Sequence, residues 1–252
     1  MTLNCFIREP LYFGKIPIYP PRVRDLTTNS YAGFVHIVTL CQEDIWDEMV
    51  EAEGKEAEGK PMENALTPFE YLLSLYHNNP EIAKIIDEGF KIFTGIEVRV
   101  LPSKKLILFT NNLEEVQNIE DLILLNDNNY FAFQNLIRTA IGEDTKEPPN
   151  PNENPKIARM KAKARLRDRI KKKQKANGNS ISLDEMLVSV CCMGIGITPL
   201  NIGDITYPAL TALFGKWQEK EAYDLQMRAM TSGFGIKKKS RVQHWIGDKN
   251  KK

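Results

Sequence analysis

Apolar residues recur at steps of three and four from Tyr31 to Val50, where Phe34, Ile37, Val38, Cys41, Ile45 and Met49 share one side of a helix. Before that helix, the run Tyr12 to Arg24 holds three prolines among alternating apolar residues. That pattern predicts an extended arm or edge strand that lies on the surface or crosses to a neighbour. The polar Glu51 to Lys60 follows as a loop or helix end. Thr67-Pro68-Phe69-Glu70 joins an N-cap, a first-turn proline and a capping-box acid, opening a helix with Phe69, Leu72, Leu73 and Tyr76 inward. Asn79-Pro80 restarts a helix through Ile82, Ile85, Ile86 and Phe90. Two strands, Glu97 to Leu101 and Leu106 to Thr110, are predicted next as a hairpin. Ile119 to Leu125 fits a strand or a helix start, and Tyr130 to Ile141 a helix stopped by Gly142.

Residues 143–155 hold four prolines and no apolar side chain, so nothing in them offsets the entropy of ordering the backbone. They predict a flexible linker between an acidic N-terminal domain, 1–142, and a helical domain, 156–236, trailed by a basic tail, 237–252. The second domain opens on a helix-favouring basic segment whose only sizeable apolar residues are Ile157, Met160, Leu166 and Ile170. Ser182-Leu183-Asp184-Glu185 is a second capping box; its helix runs through Leu187, Val188, Val190 and Cys191 to Gly194. A long helix from Thr206 to Thr231 carries Leu210, Leu213, Phe214, Trp217, Tyr223 and Met227 and should end at Gly233 and Gly235. The fold class expected is mainly α, with some α+β character from the hairpin.

Charge is segregated along this chain. Residues 156–175 carry eleven Lys and Arg against one acid, while the whole protein sums to +1. Residues 1–155 hold 13 basic and 25 acidic side chains, so the N-terminal part is acidic, which points to interaction surfaces more than to fold. The N-terminus lacks the pattern of a secretory signal and no long apolar span occurs, so a cytoplasmic protein without a membrane partner is expected. Cys5, Cys41, Cys191 and Cys192 have no CxxC spacing, and His36, His77 and His244 are far apart. Neither a metal site nor a disulfide framework is predicted, and no cofactor.

No motif carries catalytic chemistry. The glycines of Gly194 to Pro199 match neither GxGxxG nor GxxxxGK[ST], and they follow a helix where a phosphate loop follows a strand. Cys191 and Cys192 read as core thiols, and the pairs Glu114-Glu115 and Glu120-Asp121 have no histidine beside them. A non-enzymatic protein is therefore expected. Lys161, Lys163, Arg165, Arg167, Arg169, Lys171, Lys172 and Lys173 form a candidate basic surface that suits a solvated or intramolecularly docked helix, a protein partner, or nucleic acid. Sequence-specific readout is disfavoured because the segment lacks aromatics and has Gln174 alone among base-reading amides. Leu210, Leu213, Trp217, Tyr223 and Trp245 are the candidate partner-binding residues, with core packing the plainer role for the large side chains on the long helix.

The order Ser182 to Gly196, Leu200-Asn201-Ile202, Ile205-Thr206, Trp217-Gln218 to Tyr223, Met230 to Gly233 and a Lys-rich end closing on His244-Trp245-Ile246 resembles small proteins of Gram-positive phages and prophages. These are similar to the tail assembly chaperones encoded between the tail tube and tape measure genes. The resemblance covers about residues 150 to 247 and transfers no functional residue. It implies a helical protein of the host cytoplasm that self-associates and coats a tape measure client until tail tube polymerisation displaces it. A structural tail or baseplate component retained in the virion fits the same features, and a nucleic-acid-binding accessory protein is the third expectation.

Overall fold

Two short strands, β1 (Leu11–Phe13) and β2 (Ile16–Ile18), pair antiparallel and drive Ile16 and Ile18 into the core of their own chain. The proline-rich run therefore does not reach out as a free arm: alternation in β2 puts both isoleucines on one face, and burying that face is favourable within the chain. The computed structural model describes residues 7–42, 44, 45, 66–109, 123–146 and 181–232. The architecture is mainly helical with two small antiparallel sheets.

Local signals position most elements. The helices α1 (Asn29–Thr39), α2 (Pro68–Asn78), α3 (Pro80–Thr94) and α4 (Asp127–Ala140) share one core with a three-stranded sheet of β3 (Val98–Leu101), β4 (Leu106–Phe109) and β5 (Ile123–Leu125), ordered β3-β4-β5. Thr67 Oγ1 accepts from the Glu70 amide at 3.1 Å and Glu70 accepts from the Thr67 amide at 3.3 Å, the reciprocal box the sequence predicts. Asn79 ends α2 and caps α3, its side-chain oxygen accepting from the amides of Glu81 and Ile82. Gly95 then stops α3 with φ of 69°, a left-handed conformation that costs a side-chain-bearing residue more.

The core is aromatic. Phe34, Phe90, Phe93 and Phe133 are fully buried, with Phe34 and Phe90 edge to face at 5.1 Å between ring centroids. Helix α1 stops at Thr39, short of the Val50 that periodicity predicts, although Ile45 is still buried. Leu40 turns extended, and the buried side chain of Gln134 on α4 donates to the carbonyls of Val38 and Leu40, satisfying groups that a continuing helix would have paired itself. The Asp44 carboxylate accepts from the Cys41 amide at 3.0 Å and begins the next turn.

A second, smaller core joins α5 (Leu183–Cys192) to α6 (Tyr207–Thr231) around Val190, Ile202, Leu210 and Phe214. Its fifth buried member is Val23, from the short 3-10 turn Val23–Thr27 near the N-terminus. The Val23 amide donates to the Ile205 carbonyl and the Tyr207 amide to the Pro21 carbonyl, both at 2.9 Å. The proline-rich run thus packs Ile16 and Ile18 into one core and Val23 into the other. Residues 143–146, assigned by composition to the linker, are tied to α4: the Asn135 side chain exchanges two 3.0 Å hydrogen bonds with the Lys146 backbone. The basic segment 156–175, the rest of the linker and the tail 237–252 lie outside the described residues.

Candidate functional site

Helix α6 changes character along its length. Thr206 caps it, Pro208 sits in its first turn, and Pro208, Ala209, Leu210 and Phe214 are buried. Trp217 completes the inward face half-buried, its ring tilted against Phe214 at 5.9 Å, and Leu213 is half-buried beside it on the helix. Continued at helical steps, that face next presents Glu221, Asp224 and Arg228. The hydrophobic reason to pack ends there, and none of residues 218–231 is buried. At about 1.5 Å per residue these fourteen residues extend roughly 20 Å past the small core.

The extension has its own supports. It is rich in Ala, Gln, Glu, Lys and Met, which lose little rotamer freedom in a helix. Lys216 pairs with Glu219 at 2.9 Å and Lys220 with Asp224 at 3.8 Å, exposed pairs worth a few tenths of a kcal/mol. Tyr223, Met227 and Met230 follow one another at steps of four and three and form an apolar stripe on a different side from Leu210 and Phe214. Leu225 is 63% exposed, Met227 38% and Met230 50%.

The rest of this unit adds to that surface. Ile181, Val188, Ile195 and Leu200 are exposed as well, so seven of the nine exposed large apolar side chains among the described residues lie in 181–232; the other two are Ile7 and Tyr12. Scattered singly such side chains are ordinary; here they are concentrated on the unit with the smaller core.

The sequence-predicted residues separate on this view. Leu210 is fully buried and serves the core, not a surface, because the first turns of α6 lie against α5. Leu213, Trp217 and Tyr223 are half-buried along α6. Trp245 and the basic positions Lys161 to Lys173 lie outside the described residues, as do Glu114, Glu115, Glu120 and Asp121. Val188, named with Val190 along this helix, faces out, since it lies on the opposite side of α5 from Val190. Cys192 is exposed and Cys191 half-buried, so the expectation of two core thiols fails for Cys192: neighbours on a helix point about 100° apart, and α5 has a single buried side. Leu225 and Met230 were missed as surface residues; the turn from apolar to charged along the inward face of α6 was the available signal.

Among the described residues no group of three or more His, Cys, Asp and Glu is arranged to hold a metal ion, and no helix is long and apolar enough to cross a membrane. The shifted titrations belong to structure. Burial pushes the Tyr31 and Tyr130 hydroxyls well above their ordinary range, and the hydrogen bond from Lys105, at 2.6 Å, holds the Glu70 carboxyl below its own.

No curated protein and no solved structure matches the chain. A family model described as YomV second domain matches residues 171–250, which take in α5, α6 and the exposed apolar surface they carry. That family derives from Bacillus phage and prophage proteins, and the match, over about a third of the chain, supports a phage association.

Proposed function

We propose that the chain is a non-enzymatic phage tail morphogenesis protein that holds a helical client, the tape measure protein, in the manner of a chaperone. One observation supports this most: the exposed apolar side chains gather on α5, the loop after it and the projecting half of α6, within the segment matched by the phage-derived family. An amphipathic client helix laid along Tyr223, Met227 and Met230 would cover apolar area that α6 leaves exposed. Methionine suits such a surface, because its unbranched side chain repacks against clients of differing shape. The choice of client comes from the resemblance to tail assembly chaperones.

The test is co-expression of the full chain with the tape measure protein encoded beside it, then affinity purification and light scattering at about 0.3 M salt, where exposed charge pairs are screened. A soluble complex with several copies per client, lost in a Met227→Gln/Met230→Gln variant, is the expected result. Recovery of the chain in mature particles with no such complex would make it a structural tail or baseplate component. Binding to DNA that collapses between low and moderate salt would instead favour the nucleic-acid reading of residues 156–175.

A further inference from the structure

Three arginines meet where the two cores join, with too little acid to neutralise them. Arg22 and Arg24 both turn to the Asp204 carboxylate, Arg24 hydrogen-bonded to it and Arg22 Nη1 3.8 Å away. Arg24 Nε also donates to the Gly203 carbonyl at 3.3 Å. Asp25, the other nearby acid, is engaged by the backbone: its Oδ2 accepts from the Arg22 amide at 2.7 Å. Arg8 arrives from the hairpin side. Its guanidinium carbon stands 5.5 Å from the centre of the Tyr19 ring, three residues before Arg22. Arg8 holds φ of 60°, a left-handed conformation uncommon outside glycine.

Two guanidinium nitrogens in this group, Arg8 Nε and Arg22 Nε, are shut off from solvent and have no acceptor. A buried charged donor left without a partner is costly, and native structures avoid it. The charge is uncompensated too: burial first, and then the neighbouring charge of Arg22, lowers the Arg8 pKa from its ordinary value, with Asp25 and Tyr19 acting the other way.

We propose that Arg8, Arg22 and Arg24 form an oxyanion site for one phosphate group, bound on the Nε and Nη edges of Arg8 and Arg22 with Arg24 at the rim. The planar guanidinium fork matches a phosphate in bidentate fashion, which supplies acceptors to both orphaned nitrogens and the missing negative charge. Because Arg22 and Arg24 also face Asp204 from across the join, a bound phosphate locks the N-terminal strap to the corner that precedes α6.

Titration of the full chain with inorganic phosphate, against chloride at equal ionic strength and followed by calorimetry and phosphorus NMR, tests this. Saturable binding of one phosphate per chain is expected, with melting raised by several degrees. Arg8→Gln, which leaves both Asp204 contacts in place, should weaken binding at least tenfold, while Arg99→Gln, at an exposed position on β3, should not change it. Methyl phosphate in a parallel titration distinguishes sources: equal affinity assigns the site to a phosphoryl group on a larger molecule, and binding of inorganic phosphate alone assigns it to the free ion. Phosphate binding no better than chloride to the unmutated chain overturns the proposal, as does unchanged affinity in Arg8→Gln.

Discussion

Gly89 of α3 lies directly beneath the ring of Phe34 of α1: a Cβ built on Gly89 would stand 2.0 Å from Phe34 Cγ. Glycine in a helix interior ordinarily costs about 1 kcal/mol relative to alanine. Here the close approach decides the sign, because Phe34 is fully buried against Phe90 and Phe93 and has nowhere to move. Gly89→Ala should destabilise by about 2 to 4 kcal/mol in chemical denaturation despite its better helix propensity. An unchanged or raised midpoint would show that the two helices can part at little cost.

The Gln134 side chain holds the end of α1 by donating to Val38 O at 2.8 Å and Leu40 O at 2.9 Å. Gln134→Leu fills similar space and leaves both buried carbonyls short of a donor, a loss of roughly 2 to 4 kcal/mol. Gln134→Glu should be worse at neutral pH, since an ionised carboxylate cannot donate. Thermal melts of the two variants give the ranking.

Val23→Ala removes a buried contact from the second core although the residue belongs to the N-terminal segment. The expected loss is about 1 to 3 kcal/mol. It should appear in hydrogen exchange as faster amides in α5 and the first turns of α6, with α3 unchanged. Uniform loss of protection across both regions would mean that the two cores unfold as one unit.

Trp217→Ala should cost about 1 to 2 kcal/mol, less than for a fully buried tryptophan, because Trp217 sits half-buried at the edge of its cluster beside Phe214. Denaturant unfolding measures it, and a loss above about 4 kcal/mol would place Trp217 at the centre of the second core.

Asp87 gives a pH dependence of defined sign. Burial raises its carboxyl pKa, partly offset by the hydrogen bond from the Tyr76 hydroxyl at 3.3 Å, and its Oδ1 has no partner. A carboxyl raised above its unfolded value stabilises most when protonated, so its contribution is present below the ordinary carboxylate range and lost as pH rises through the raised value. Glu70 has the opposite sign: lowered by Lys105, its contribution is lost as pH falls through its lowered value. Asp87→Asn should therefore raise the melting temperature at pH 7 and remove the decline just above the ordinary carboxylate range. An unchanged pH profile would sink this account.

Much of the fold was legible because its signals are local. Both capping boxes, at Thr67 and Ser182, Pro80 after Asn79, and the start of α6 at Thr206 each depend on atoms within about one turn of chain. The end of α1 was not legible, since it depends on an amide from Gln134, almost a hundred residues further on. The proline-rich run misled for a related reason: its alternation predicts an extended segment correctly but says nothing about which chain, or which core, takes its apolar faces.

For the surface proposed to bind a client, periodicity alone announces a long helix with large apolar residues and the point after Trp217 where its inward face turns charged. Packing between distant segments is what consumes Leu210 in the core, leaves Leu225, Met227 and Met230 outside, and brings Val23, Arg22 and Arg24 to the corner before α6. Caps and periodicity act within a turn or two of chain. Burial and charge compensation are settled by whichever residues, however distant in sequence, the packed chain brings alongside.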